Sequence, residues 1–125
     1  MVDNKGDSGN IKISDDAIAS IAAIASRDVE GVVDLDGGSA AAFAEAIGIK
    51  DSTKGIKIDM LNENVSLDIN LVVDFGREVS DVAAEVQDKV REAIESMTGL
   101  NVNKINVNIN GVRKNKGPRD NSYNI

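Results

Sequence analysis

From Val65 to Phe75 the chain alternates. Val65, Leu67, Ile69, Leu71, Val73 and Phe75 fall on one side, and Ser66, Asp68, Asn70 and Asp74 on the other. This is the period of a strand with one face in a core and one in water. A shorter run of the same kind, Gly55–Leu61, precedes it, with Ile56, Ile58 and Met60 in phase. The polar residues Asn62, Glu63 and Asn64 separate the two runs, so they are expected to form a β-hairpin. After Gly76 the period changes. Val79, Val82, Ala83, Val86, Val90, Ala93, Ile94 and Met97 recur at spacings of three and four, which predicts a helix over Glu78–Met97. Gly99 is placed to stop it in a left-handed conformation, with Leu100 folding back as in a Schellman motif. Alternation then returns in Asn101–Asn110, with Ile105, Val107 and Ile109 inside and asparagines outside.

The first half is less regular. Asn10–Ile13 alternates briefly and is expected to form a short strand. Ser14 stands at an N-cap position before Asp15 and Asp16, where a hydroxyl and two carboxylates complement the free amides of a first turn. The helix that follows is expected to reach about Asp28, with Ala17, Ile18, Ile21, Ala22 and Ala25 inward. Val32, Val33 and Leu35 predict another short strand, ended by Gly37-Gly38. A small helix, Ala40–Ile47, follows, capped by Ser39 and closed by Gly48, though an ordered loop would also fit these residues. Together these elements predict a two-layer α+β domain. Its sheet is mixed and mostly antiparallel, with the two main helices on one face. The last strand runs parallel to Val65–Phe75, next to it or next to Gly55–Leu61. Residues 1–9 are expected to be a disordered N-terminus, 10–112 the domain, and 113–125 a flexible basic tail.

Composition narrows the chemistry. The 125 residues suit one domain. Aromatics are 2 % of the chain, so the core must be built from aliphatic side chains. The sequence has no Cys and no His, which removes thiolate nucleophiles, imidazole bases and the usual zinc ligands. No apolar run approaches a membrane span and the N-terminus has no apolar signal region, so a cytoplasmic protein without direct membrane insertion is expected. The net charge of −7 is uneven: residues 113–125 carry +3 and the remainder −10. An acidic body repels phosphate backbones, so no nucleic acid is expected as partner. The tail could meet an acidic surface or anionic lipid.

Candidate motifs are weak. Asp34, Asp36 and Glu45 brush against a calcium loop, but Gly38 and Ser39 occupy positions that need a ligand and a glycine. Gly48–Gly55 lacks phosphate-loop spacing. Gly6–Gly9 matches a KH-type GxxG by letter only, and it is acidic where RNA would lie. Asp68 and Asp74 share a strand face without any sign of a pocket that would shift their pKa values. No catalytic residue, cofactor or metal is expected. The remaining candidates form a partner surface: Asn103, Asn106, Asn108 and Asn110 on the last strand, with Arg113, Lys114, Lys116 and Arg119 in the tail. An edge position for that strand would open a route to self-association.

The segments GNIKIS, RDVEGVVDLDGG, KGIKIDM, VSLDINLVVDFG, VQDKVREAIESMTGL and VNKINVNINGV follow in order. Together they resemble the alkaline shock protein family, the general-stress or envelope-stress-response family of Gram-positive bacteria, over about Gly9 to Val112. The resemblance implies a small, cytoplasmic, non-enzymatic protein. It would act as a scaffold or adaptor in envelope stress, through self-association and a membrane-anchored protein partner that holds it at the inner face of the membrane. It carries over no catalytic residue. The other reading left open by the residues is an RNA- or small-ligand-binding module.

Overall fold

The structure, a computed structural model, describes residues 9–114. The element order is α1 (Asp15–Arg27), β1 (Val32–Leu35), α2 (Gly38–Ala46), β2 (Ile56–Leu61), β3 (Asn64–Asp74), α3 (Val79–Thr98) and β4 (Asn101–Arg113). The fold is α+β, as expected. β3 is the central strand and touches all the others. On one side it pairs antiparallel with β2 along its first half, from Leu61↔Asn64 to Ile56↔Ile69. On the same side it pairs antiparallel with β1 near its end, through Leu35↔Leu71 and Val32↔Val73. On the other side β4 runs parallel to it for its whole length. The alternation had left two neighbours open for β4, and the neighbour is β3.

The change of partner from β2 to β1 falls on one residue. The Asn70 amide donates to the Gly55 carbonyl at 2.9 Å, and the Asn70 carbonyl accepts from the Asp36 amide at 2.8 Å. The Asn70 side chain also donates to the Gly55 carbonyl. Gly55 must be glycine here. Its φ is +82°, and a Cβ would stand 2.8–2.9 Å from the Asp36 backbone.

α1 and α3 lie together on the apolar face of the sheet. Val65, Leu67, Ile69, Leu71, Val73, Leu35, Val102 and Ile105 meet Ile18, Ala22 and Ala23 of α1 and Val82, Val86, Val90 and Ile94 of α3. The alanines of α1 let that helix sit close to its neighbours. Its buried face is Ile18, Ala19, Ala22, Ala23 and Ser26, so Ala17, expected inside, is exposed. Ser14 caps α1 as expected, accepting from the Ala17 amide at 3.1 Å.

Several expectations are corrected. Asn10–Ile13 is not a strand. Ile13 packs on the core while Ile11 is 94 % exposed, and two alternating residues are too few to add a strand to the sheet. α2 starts at Gly38, and Ser39 does not cap it. Instead the Asp36 carboxylate accepts from the Gly38 amide and turns the chain into the helix. Phe75 lies beyond the end of β3 and is 72 % exposed. The hairpin turn is two residues, Asn62 and Glu63, with Asn62 at φ +60°. Gly99 does stop α3 at φ +75°, but Leu100 donates its amide to the Thr98 hydroxyl rather than to a Schellman carbonyl. β4 continues past Asn110 to Arg113, whose carbonyl accepts from the Phe75 amide. Arg113 is therefore part of the sheet and not of the tail. Residues 1–8 and 115–125 lie outside the described residues, and with them most of the proposed tail.

Two tests bear on this packing. Gly55→Ala is expected to lower unfolding free energy by about 2–4 kcal/mol, since it combines a left-handed backbone with a backbone clash. Gly48→Ala, at φ +95° but in open space, should cost about 1 kcal/mol. Equal losses in urea unfolding would contradict the junction at Asn70. The second concerns Ser26, whose hydroxyl is fully buried without a hydrogen-bond partner. Ser26→Ala should raise stability by about 1 kcal/mol in the same assay.

Candidate functional site

The sheet face opposite the helices is polar, and β4 forms one border of it. Successive residues of β3 direct their backbone groups to alternate sides. Asn70 and Asp74 point toward β2 and β1, while Phe75 points toward β4. Leu67, Ile69 and Leu71 share the phase of Phe75, so they bond to Lys104, Asn106, Asn108 and Asn110. The backbone groups of Ile105, Val107 and Ile109 then point away from the sheet. Among the described residues β4 pairs with β3 alone. Among these residues its outer side carries no further strand.

α3 covers the start of that edge. Gln87 donates its side-chain amide to the Ile105 carbonyl at 3.0 Å, and Glu95 accepts from the Val102 amide at 3.0 Å. Val107 and Ile109 lie beyond these two contacts, and both are half-buried.

The asparagines of β4 mostly turn their amides inward along the polar face. Asn106 donates to Asp68 at 2.9 Å and Asn108 to the Asn70 side-chain oxygen at 3.1 Å. Asn110 reaches both Asp36 and Asn70, at 3.2 and 3.3 Å. Asn103 sits at a register shift between Val102 and Lys104 and is exposed. Arg113 stands opposite Asp74, and Lys114 is exposed just beyond. Lys116 and Arg119 lie outside the described residues. The structure therefore joins three of the four asparagines into one ladder with Asp36, Asp68 and Asn70. The Asp36 carboxyl is held below its ordinary value by the Gly38 amide and the Asn110 amide, with help from the charges of Lys54 and Arg113.

Asp34 and Glu45 do converge, but on a lysine ammonium. Lys54 bridges both carboxylates and so ties α2 to β1. Asp34 also lies 3.9 Å from Arg27. Among the described residues no three acids gather as a metal site. Burial pulls the Lys54 pKa down, but its bonds to Glu45 and Asp34 outweigh that, and the net shift is upward. Nothing in the sequence order marks this cluster, because its members come from β1, α2 and the loop before β2.

Two apolar surfaces were also not evident from the pattern. α2 buries none of its residues, and Phe43, Ile47 and Ile49 are each more than half exposed. A groove of about 560 Å³ runs between α1 and α3, lined by Ile21, Ile24, Ala25, Ala93 and Met97. The signal for α2 was its composition: a helix apolar on every side is either buried or waiting for a partner. Among the described residues no helix is long and apolar enough to cross a membrane.

Comparison with known proteins bears on what this surface serves. The family profile of the alkaline shock proteins, described by its "cell envelope-related function", matches residues 3–114. The chain is similar to YqhY of Bacillus subtilis, an uncharacterized protein, with 35 % identity over 105 residues, 84 % of this chain and 78 % of that one. It is similar to YloU of the same organism, also uncharacterized, with 30 % identity over 84 % of this chain and 89 % of that one. A Streptococcus pyogenes protein named stress response regulator gls24 homolog is 24 % identical over 81 % of this chain and 57 % of its own length. No solved structure gives a significant match.

The Lys54 cluster makes a test of the site's electrostatics. Lys54→Met leaves Asp34 and Glu45 without their cation and should cost about 1–3 kcal/mol, the partners being about a third open to solvent. The pH dependence has a definite sign. The raised pKa of Lys54 adds stability that is whole below 10.5, the free-lysine value, and is lost as pH climbs through the folded value. Asp36 and Asp51 are lowered, Asp51 by the amide and hydroxyl of Thr53. Their contribution is whole above 3.8 and is lost as pH falls through the folded values. Urea unfolding across pH should show a shallower alkaline decline in Lys54→Met than in the wild type, and a slightly smaller loss in acid, because Lys54 also helps to hold the Asp36 carboxyl low.

Proposed function

Because the chain belongs to the alkaline shock protein family, whose function is described as cell envelope-related, we propose that it acts as a non-enzymatic scaffold or adaptor in the envelope stress response. It works by self-association and by contact with a protein partner that is itself held at the membrane. The observation that carries this reading is the long edge of β4. A strand of 13 residues whose outer side pairs with no other strand among the described residues, and is uncovered beyond Ile105, is a template for another chain. The exposed apolar helix α2 offers a second contact area of the same kind. The basic end of β4, Arg113 and Lys114, suits an acidic partner or the negative inner surface of a membrane. The name of the streptococcal relative, a stress response regulator, supports the stress side of the reading.

Light scattering across protein concentration tests the self-association. The weight-average mass should rise above the 13.2 kDa of one chain. A strict monomer at the highest soluble concentration would sink it. Capture from native cells, with the full chain and with a chain ending at Lys114, tests the partner. A membrane protein retained by both would place the contact on the folded domain, and one retained by neither would remove the adaptor role.

A further inference from the structure

The centre of β4 reads the same in both directions about Val107. Ile105-Asn106-Val107-Asn108-Ile109 is a palindrome, and Val102 and Val112 extend it at equal distance on either side. The stretch from Lys104 to Ile109 is also the regular part of the strand, since its register shifts lie before Lys104 and after Ile109.

We propose that β4 is a homodimer interface, in which two copies pair antiparallel about a two-fold axis through Val107. The proposal rests on the self-association reading above and names its surface. In this register Val107 faces the second copy's Val107, Ile105 faces Ile109, and Val102 faces Val112, all on the apolar face. Asn106 faces Asn108 on the polar face. A centre that falls on a residue keeps outward-pointing backbone groups opposite outward-pointing ones. Ile105, Val107 and Ile109 then form the hydrogen-bonded pairs, and Asn106–Asn108 the closer, non-bonded ones.

Charge disfavours the neighbouring register centred on Asn108. Residues 101–114 contain Lys104, Arg113 and Lys114 and no acid. Pairing about Val107 sets Lys104 opposite Asn110 and Arg113 opposite Asn101, so no two cations face each other. Moving the axis one residue, to Asn108, sets Ile105 against Gly111 and brings Lys104 beside Arg113. Like charges across a pair destabilise it. The half-buried Val107 and Ile109 gain cover from the second copy's strand. Two contacts must open: Glu95 holds the Val102 amide, and Gln87 holds the Ile105 carbonyl, which in the pair accepts from the second copy's Ile109 amide. Gln87 thus competes with dimerisation.

The chain has no cysteine, so introduced ones report the register cleanly. Asn106→Cys and Asn108→Cys chains are prepared separately and oxidised alone and mixed. In the proposed pair residues 106 and 108 of different copies have Cα atoms about 4.5 Å apart, within reach of a disulfide. Two copies of residue 106 lie about 8 Å apart, outside it. The mixture is expected to yield severalfold more disulfide-linked dimer than either chain alone, read by mass on non-reducing gels. Gln87→Ala should tighten association severalfold in light scattering, whereas a merely structural glutamine would leave it unchanged or weaken it. If the wild type associates but the mixture links no better than the single chains, the β4 pairing is overturned and self-association stands through another surface. If the wild type is monomeric at every concentration, both fall together.

Discussion

The sheet depends on the backbone of Asn70. β3 has two partners on one side, and both end at this residue: the Gly55 carbonyl takes its amide and the Asp36 amide takes its carbonyl. β1 and β2 are short and meet end to end, so neither could hold the other's place. The constraint spreads outward from there. Gly55 has no room for a Cβ because the Asp36 backbone fills the space. Asp36 must turn the chain at once, and its carboxylate does so through the Gly38 amide. α2 therefore starts where the junction puts it, off the main layer, and Lys54 is the tether that brings it back through Glu45 and Asp34.

The two faces of the sheet solve different problems. The inner face is closed by aliphatic burial, with α1 and α3 supplying small and branched side chains. Among the described residues no layer covers the outer face, and hydrogen bonds between side chains order it instead. Asn70 is again the centre, accepting from Asn108 and Asn110 while donating to Gly55. An exposed hydrogen bond contributes little to stability by itself. Several that share members fix side-chain direction, and this keeps the asparagine amides turned into the sheet.

Much of this was legible in the residues. The three longer strands alternate because one face is wet and one is dry, and α3 declares itself by its spacing. The cap at Ser14 and the stop at Gly99 are local chemistry and were read from local sequence. What was not legible depends on distance along the chain. Lys54 meets Asp34 twenty residues away, and the Asn70 junction joins two loops that no periodicity connects. Phe75 fits the inward phase of β3 by counting, but the strand ends at Asp74 and the count no longer applies. Asn10–Ile13 has the pattern of a strand, but two alternating residues are too few to join the sheet. Asn103, Asn106, Asn108 and Asn110 were named as one surface, and the last three are the ones that join the ladder on the polar face.

A long free edge is a hazard as well as an opportunity, and the chain treats its two ends differently. α3 covers the start of β4 with Gln87 and Glu95, which occupy backbone groups that another strand would use. Beyond Ile105 no such cover stands among the described residues. A contact between identical patches about a two-fold axis consumes both edges and closes, whereas an edge that joins a different patch of the next copy propagates. A palindromic edge belongs to the first kind. Growth past two chains would then need another surface, such as the unburied apolar side of α2 or the groove between α1 and α3.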